Sequence, residues 1–174
     1  MITIVTGGAR SGKSTYAVEL GIRHAGPVVF VATAPPLDSD MESRIARHRA
    51  ERPDWPTVEE PHDWTTAVAT APADTMVIVD CITLWVSNLM WRGDTDAEVE
   101  ATARRVAEQL RASAAHVVLV TNEVGLGVHP ETELGRRYRD LLGRVNQILV
   151  AVADRALFMV SGRALVLADP PEAS

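Results

Sequence analysis

The run from Gly7 to Ser14 has the residue types and spacing of a loop that binds the phosphates of a nucleotide. It matches G-x-x-x-x-G-K-[ST] in full. Glycines let backbone N–H groups turn toward an anion, and the following helix adds the positive end of its dipole. A strand-like run before the loop and a helical run after it favour this interpretation over a chance glycine-rich turn. The residues are Gly7, Gly8, Ala9, Arg10, Ser11, Gly12, Lys13 and Ser14.

In such a loop the lysine reaches the β- and γ-phosphates and the serine hydroxyl binds Mg²⁺. These roles fall on Lys13 and Ser14. The metal also needs a carboxylate nearby, and Asp80 ends a strand-like run as in a Walker B element. Asp80 could instead cap the helix that follows it. Glu123, after another strand-like run, is a rival carboxylate, and Cys81 is interpreted as a small buried hydrophobic residue rather than a nucleophile.

A second possible reaction centre lies in the polar segment 40–53. On a helix, Arg44, His48 and Arg52 share one face because they are four residues apart. Nearby guanidinium groups disfavour protonation of an imidazole, and a neutral imidazole is a nucleophile that could attack phosphorus. Spacing alone nevertheless favours an ordinary solvated, charged helix face.

Strand-like and helical segments alternate along the chain. This alternation predicts an α/β, three-layer P-loop NTPase fold (RecA-like) whose sheet is mostly parallel, with a C-terminal antiparallel hairpin. We expect one nucleotide-binding catalytic domain over residues 1–168 and a polar tail over 169–174. Predicted strands are 1–6, 28–33, 57–59, 76–80, 117–121, 157–161 and 164–167; predicted helices are 13–24, 40–51, 62–70, 82–91, 97–114 and 132–153.

Composition restricts the function further. The 174 residues carry a net charge of −6, which argues against a nucleic-acid partner, since proteins that bind the phosphate backbone are usually basic. A single cysteine rules out an internal disulfide. The strand-like start of the chain and the lack of a bilayer-length apolar run lead us to expect a cytoplasmic protein without a membrane span.

Five stretches occur in an order typical of one enzyme family. They are residues 7–14, the R-I-x-x-H-R-x-x-R-P segment at 44–53, D-C-I-T at 80–83, T-N-E-V-G at 121–125 and G-R-V-N-Q at 143–147. With them the chain resembles the bifunctional adenosylcobinamide kinase and adenosylcobinamide-phosphate guanylyltransferase of cobalamin biosynthesis. The resemblance covers nearly the whole chain except its tail.

The resemblance implies two activities. One phosphorylates the aminopropanol hydroxyl of adenosylcobinamide with ATP or GTP, and the other transfers GMP from GTP to that phosphate. In this family the transfer passes through a covalent guanylyl-histidine, and that role carries over to His48. Mg²⁺ as cofactor and a homotrimeric assembly are implied as well.

The resemblance also implies the residues that hold the nucleotide. Lys13, Arg49, Arg52 and Mg²⁺ would offset the charge on the phosphoryl oxygens. Glu59 and Asp80 are expected to contact the guanine or the ribose, and Thr33 to lie in the same pocket. Ser14 and Asp80 are the expected metal ligands.

Three alternatives stay open. A single-activity P-loop kinase for a small metabolite would have no use for His48, and an assembly ATPase of the RecA type would polymerise or bind nucleic acid. A chain retaining only the guanylyltransferase half is the third. The corrinoid site is not located by sequence: Trp85, Trp91 and Leu126 are candidates, although such residues more often belong to a core or an interface.

Overall fold

The computed structural model describes residues 1–35, 49, 50 and 52–168. The helix predicted over 40–51 lies outside these residues except at positions 49 and 50, so His48 is among the residues outside. The tail predicted over 169–174 also lies outside them. Within the described residues, no helix has the length and apolar character that a membrane crossing requires. The elements are β1 (Ile2–Gly7), α1 (Lys13–Arg23), β2 (Val28–Ala32), β3 (Thr57–Glu59), α2 (Thr65–Ala69), β4 (Met76–Asp80), α3 (Ile82–Arg92), α4 (Asp96–Ala112), β5 (His116–Val120), α5 (Glu133–Val150), β6 (Arg155–Val160) and β7 (Arg163–Leu167).

The strands form one seven-stranded sheet in the order β3-β2-β4-β5-β1-β6-β7. All neighbouring pairs are parallel except β6 and β7, which form the predicted antiparallel hairpin. Because parallel strands end at the same edge of a sheet, Gly7, Asp80 and Val120 lie along one edge. The predicted fold class is confirmed.

Helices cover both faces of this sheet, which makes three layers. In β4, Val77 and Val79 point into a core shared with α3, α4 and α5. Met76 and Ile78 alternate with them and pack on the other side, where Ala17 of α1 lies. This period of two is what a strand buried on both faces requires.

Ion pairs fix the last long helix against its neighbour. The Arg144 guanidinium donates to Glu100 at 2.6 Å and to Asp96 at 2.9 Å, joining α5 to α4. Thr95 and Glu98 form a capping box at the start of α4. These partly exposed contacts add little stability individually but define the orientation of α5, whose inner face reaches the sheet edge.

The terminal hairpin lies directly against the glycine-rich loop. The Gly162 N–H donates to the Ser11 carbonyl oxygen at 3.0 Å. The turn consists of Ser161 and Gly162, both with positive φ (49° and 74°), one residue earlier than the predicted turn at 162–163. A two-residue hairpin turn of this type needs positive φ at both central residues, and glycine suits the second of them. Ser161 and Gly162 meet this requirement, whereas a turn at 162–163 would place Arg163 at positive φ.

Gly7 and Gly8 differ sharply in the space around them. A Cβ on Gly7 would overlap the Met159 carbonyl oxygen of β6, and Gly7 has a φ of 150°, whereas a Cβ on Gly8 would meet nothing within 4 Å. We expect Gly7→Ala to lower the free energy of unfolding by about 2 kcal/mol, or roughly 5 °C in Tm. Thermal denaturation measures this, with Gly8→Ala as the matched control that stays within about 1 °C of wild type. Equal losses in both variants would contradict this packing.

Candidate active site

A cavity of about 480 Å³ opens at the carboxyl edge of the sheet. The phosphate loop forms its floor, β2 and β4 form one side, and the start of α3 closes the other. Two arginines from the segment after residue 48 complete the wall. The lining residues are 9–15, Phe30, Ala32, Ala34, Arg49, Arg52, Asp80, Cys81, Thr83, Leu84, Val120 and Asn122.

The loop holds Lys13 as a buried cation. Gly12 has a φ of 96° and Arg10 a φ of 57°, so the chain bends sharply before α1 begins. The Lys13 ammonium donates to the Gly8 carbonyl oxygen at 2.6 Å and to Ser11 Oγ at 3.5 Å. Burial lowers the pKa of Lys13, and the nearby Asp80 carboxylate opposes that shift. A desolvated ammonium inside a loop of backbone donors is arranged to bind phosphate oxygens.

The structure separates the two candidate carboxylates. Asp80 and Ser14 both line the cavity, whereas Glu123 is not among its lining residues and donates its backbone N–H to the Gly7 carbonyl. The interpretation of Asp80 as a helix cap is wrong, because Cys81 occupies the N-cap position of α3. A carboxylate and a hydroxyl offer the hard oxygen ligands that Mg²⁺ takes, so these side chains fit that ion.

Arg52 is anchored at the side of the cavity. Its guanidinium lies 3.9 Å from the centre of the Phe30 ring and donates to Thr57 Oγ1 at 3.0 Å. Burial, and then the neighbouring Arg49, lower the pKa of Arg52. The cation–π contact and the hydrogen bond hold the segment that follows residue 48 against β2 and β3.

Thr33 and Glu59 are placed differently from the other predicted nucleotide contacts. Thr33 is fully buried, and its hydroxyl donates to the Cys81 carbonyl and accepts from the Cys81 N–H. It thus supports the turn after β4 from behind. Glu59 is exposed at the end of β3, paired in register with Ala32, which lines the cavity. Contact of either residue with a nucleotide stays a prediction.

Sequence reasoning missed a polar chain behind the cavity wall. Buried Asn146 of α5 accepts from Thr121 Oγ1 at 2.8 Å and donates to the Asn122 carbonyl at 3.1 Å. The Asn122 N–H in turn donates to Thr83 Oγ1 at 2.8 Å. Asn122 and Thr83 line the cavity. Both residues follow the carboxyl end of a parallel strand, and this position in the sequence could have identified them as candidates for the cavity wall.

A sequence model of one family, described as cobinamide kinase / cobinamide phosphate guanyltransferase, matches residues 3–167. The chain belongs to this family. The bifunctional adenosylcobalamin biosynthesis protein CobU of Salmonella typhimurium is 42% identical over 176 residues, covering 93% of this chain and 97% of the relative. CobP of Pseudomonas aeruginosa, of the same description, is 40% identical over 176 residues, covering 98% and 99%. Membership makes the chain an enzyme of this family and agrees with the predicted resemblance.

Among solved structures, an ATPase from the type III secretion system of pathogenic bacteria superposes with a TM-score of 0.55 at 9% identity. The match covers 90% of this chain and 50% of that chain, so this chain spans about half the ATPase's length. At this identity the likeness concerns the fold alone. It supports the predicted fold class.

Removing the Asn146 side chain tests the polar chain behind the cavity. Asn146→Ala leaves the Asn122 carbonyl and the Thr121 hydroxyl without this partner. We expect a loss of about 1–3 kcal/mol in the free energy of unfolding and weaker nucleotide binding. Urea denaturation and isothermal titration with a nucleotide measure the two effects. Gln147→Ala, the adjacent exposed position of α5, is the control, and an equal effect there would contradict a specific role for Asn146.

Cys81 provides a test of the electrostatics of the cavity. Burial, and then the Asp80 carboxylate, raise the pKa of the Cys81 thiol to about 12. At pH 8 the reactive thiolate is then about one part in ten thousand. We expect iodoacetamide to leave the folded protein unlabelled at pH 8 and to label it in urea, as measured by intact mass. Rapid labelling of the folded protein would show that the thiol is a nucleophile after all.

Proposed function

We propose that this chain phosphorylates the aminopropanol hydroxyl of adenosylcobinamide with ATP or GTP and then transfers GMP from GTP to that phosphate, forming adenosylcobinamide-GDP. Family membership supports both activities. The observation that carries the proposal is that the phosphate loop and the two arginines following residue 48 line one cavity. A single-activity kinase would have no use for His48, which directly precedes these arginines in the sequence.

In the kinase step, the loop backbone and Lys13 hold the β- and γ-phosphates. The acceptor hydroxyl attacks the γ-phosphorus and loses its proton to water, the bond to the β-phosphate oxygen breaks, and a nucleoside diphosphate leaves. Ser14 and Asp80 would hold Mg²⁺, which supplies positive charge to the phosphates when bound. Lys13 adds a second positive charge where negative charge develops.

In the transfer step, His48 attacks the α-phosphorus of GTP and pyrophosphate leaves, giving a guanylyl-histidine. A phosphate oxygen of the corrinoid phosphate then attacks the same phosphorus and the P–N bond breaks. Imidazole is regenerated and a P–O–P linkage forms. Arg49 and Arg52 are placed in the cavity wall to stabilise charge on the phosphoryl oxygens.

The remaining parts of the proposal concern specificity and assembly. We assign Glu59 to the guanine or the ribose, with Asp80 as a second candidate for that contact if it does not hold Mg²⁺. Thr33, whose hydroxyl is bonded within the protein, is assigned to positioning the turn after β4. One catalytic domain spans residues 1–168. We further propose a cytoplasmic homotrimer, as composition and the family resemblance led us to expect.

Labelling with α-phosphate-labelled GTP and Mg²⁺ tests the transfer step. After denaturation, we expect wild type to retain acid-labile, alkali-stable label and His48→Ala to retain none, because a covalent phosphoramidate survives denaturation whereas bound GTP is lost. His129→Ala is the matched control, since His129 is an exposed histidine outside the cavity lining, and it should label like wild type.

The same experiment separates the alternatives. No label in wild type, together with turnover of γ-phosphate, would favour a single-activity kinase. Label retained in His48→Ala would keep the transferase and reject His48 as its nucleophile.

A further inference from the structure

A second depression, here termed the α3–α5 groove, lies between the end of α3 and the start of α5. Its volume is about 320 Å³. The indole of Trp91 is 80% exposed beside it, and Leu134 is 57% exposed. The lining residues are Ser87, Met90, Trp91, Thr132, Leu134, Gly135 and Tyr138.

The lining of the groove suits a flat and partly apolar surface of a ligand rather than an anionic group. Among the residues that line it in the described part of the chain, none is charged, and three carry hydroxyl groups. Apolar surface with a few hydroxyls matches a flat ring with amide substituents better than it matches a nucleotide or an acidic peptide. An exposed indole offers such a ring a stacking surface.

The groove shares a wall with the nucleotide cavity. The Tyr138 hydroxyl, which lines the groove, donates to the Thr83 carbonyl at 3.1 Å, and Thr83 lines the cavity. The 11-residue helix α3 runs from the cavity at Ile82 to the groove at Trp91. Its length is about 16 Å, so the groove and the cavity lie at the two ends of one helix.

We propose that the α3–α5 groove binds the corrin ring of the corrinoid substrate, with the ring stacked on Trp91. The aminopropanol arm then runs past Thr83 and delivers its hydroxyl to the phosphate end of the nucleotide cavity. This inference rests on the proposed function and adds the position of the second substrate. The corrinoid is the proposed occupant of the α3–α5 groove, and a second copy of this chain is the alternative.

Two other aromatic and apolar candidates are placed differently. Trp85 was a sequence candidate for corrinoid contact, but it is fully buried, packs edge-on against Trp64 and donates its indole N–H to the His62 carbonyl. That part of the prediction is wrong. Leu126 is 75% exposed in the loop before α5, but it is not among the residues lining the groove.

Equilibrium dialysis with dicyanocobinamide, followed by its visible absorption, measures corrinoid binding directly. We compare wild type, Trp91→Ala and, as control, Ile22→Ala, which removes an apolar side chain that is 60% exposed on α1. Both positions are exposed, so neither change should unfold the protein. We expect Trp91→Ala to raise the Kd for dicyanocobinamide about tenfold, with an unchanged Kd for GTP and an unchanged molar mass by light scattering.

Each other result has a definite meaning. Equal dicyanocobinamide affinity in wild type and Trp91→Ala would overturn the inference while leaving the proposed function intact. A lower molar mass in Trp91→Ala would assign the groove to contact between copies of the chain, and would also overturn it. If wild type itself bound no dicyanocobinamide, the proposed function would fail before Trp91 was in question.

Discussion

The burial of the Lys13 ammonium within its own loop is the constraint on which the site depends. A cation taken out of water is costly unless oxygen atoms surround it, and here a loop carbonyl and a hydroxyl do so. The loop can fold this tightly because Gly7 lies against β6 and the hairpin turn donates to Ser11. The hairpin at the far end of the chain therefore belongs to the structure of the phosphate site. The oxygen atoms of a bound phosphate would join the loop oxygen atoms that already contact the Lys13 ammonium.

A second set of hydrogen bonds links the cavity to the helices above it. Asn146 holds the Asn122 backbone, Asn122 donates to Thr83, and the Thr83 carbonyl accepts from Tyr138. These groups are buried or half-buried, where an unmade hydrogen bond is costly, so displacing one of them removes hydrogen bonds from its neighbours. The chain of contacts makes the orientation of α5 relevant to both the nucleotide cavity and the α3–α5 groove, and it explains why two separated sequence stretches, 121–125 and 143–147, belong to one site.

Much of the fold and the loop could be predicted because their signals are local. The phosphate loop depends on eight consecutive residues, and the strands alternate in burial on the sheet. Tertiary contacts decided the rest. That Asp80 lines the cavity and Glu123 does not depends on the packing of two strand ends, and the burial of Trp85 depends on Trp64. The hairpin turn is a local feature that was misplaced by one residue, because positive φ at both central residues suits Ser161 and Gly162 better than a pair that ends in Arg163.

The anchoring of Arg52 bears on how one protein could carry out two phosphoryl reactions. An arginine that only met a phosphate would be free to move until the nucleotide arrived, whereas this one already lies on Phe30 and donates to Thr57. Its position is therefore fixed by β2 and β3, independently of the ligand. Since Arg49 also lines the cavity, the segment carrying the proposed nucleophile is tied at its C-terminal end to the cavity wall. Preorganised charge of this kind lowers the barrier to attack on phosphorus, because it needs no rearrangement when negative charge develops on the phosphoryl oxygens in the transition state.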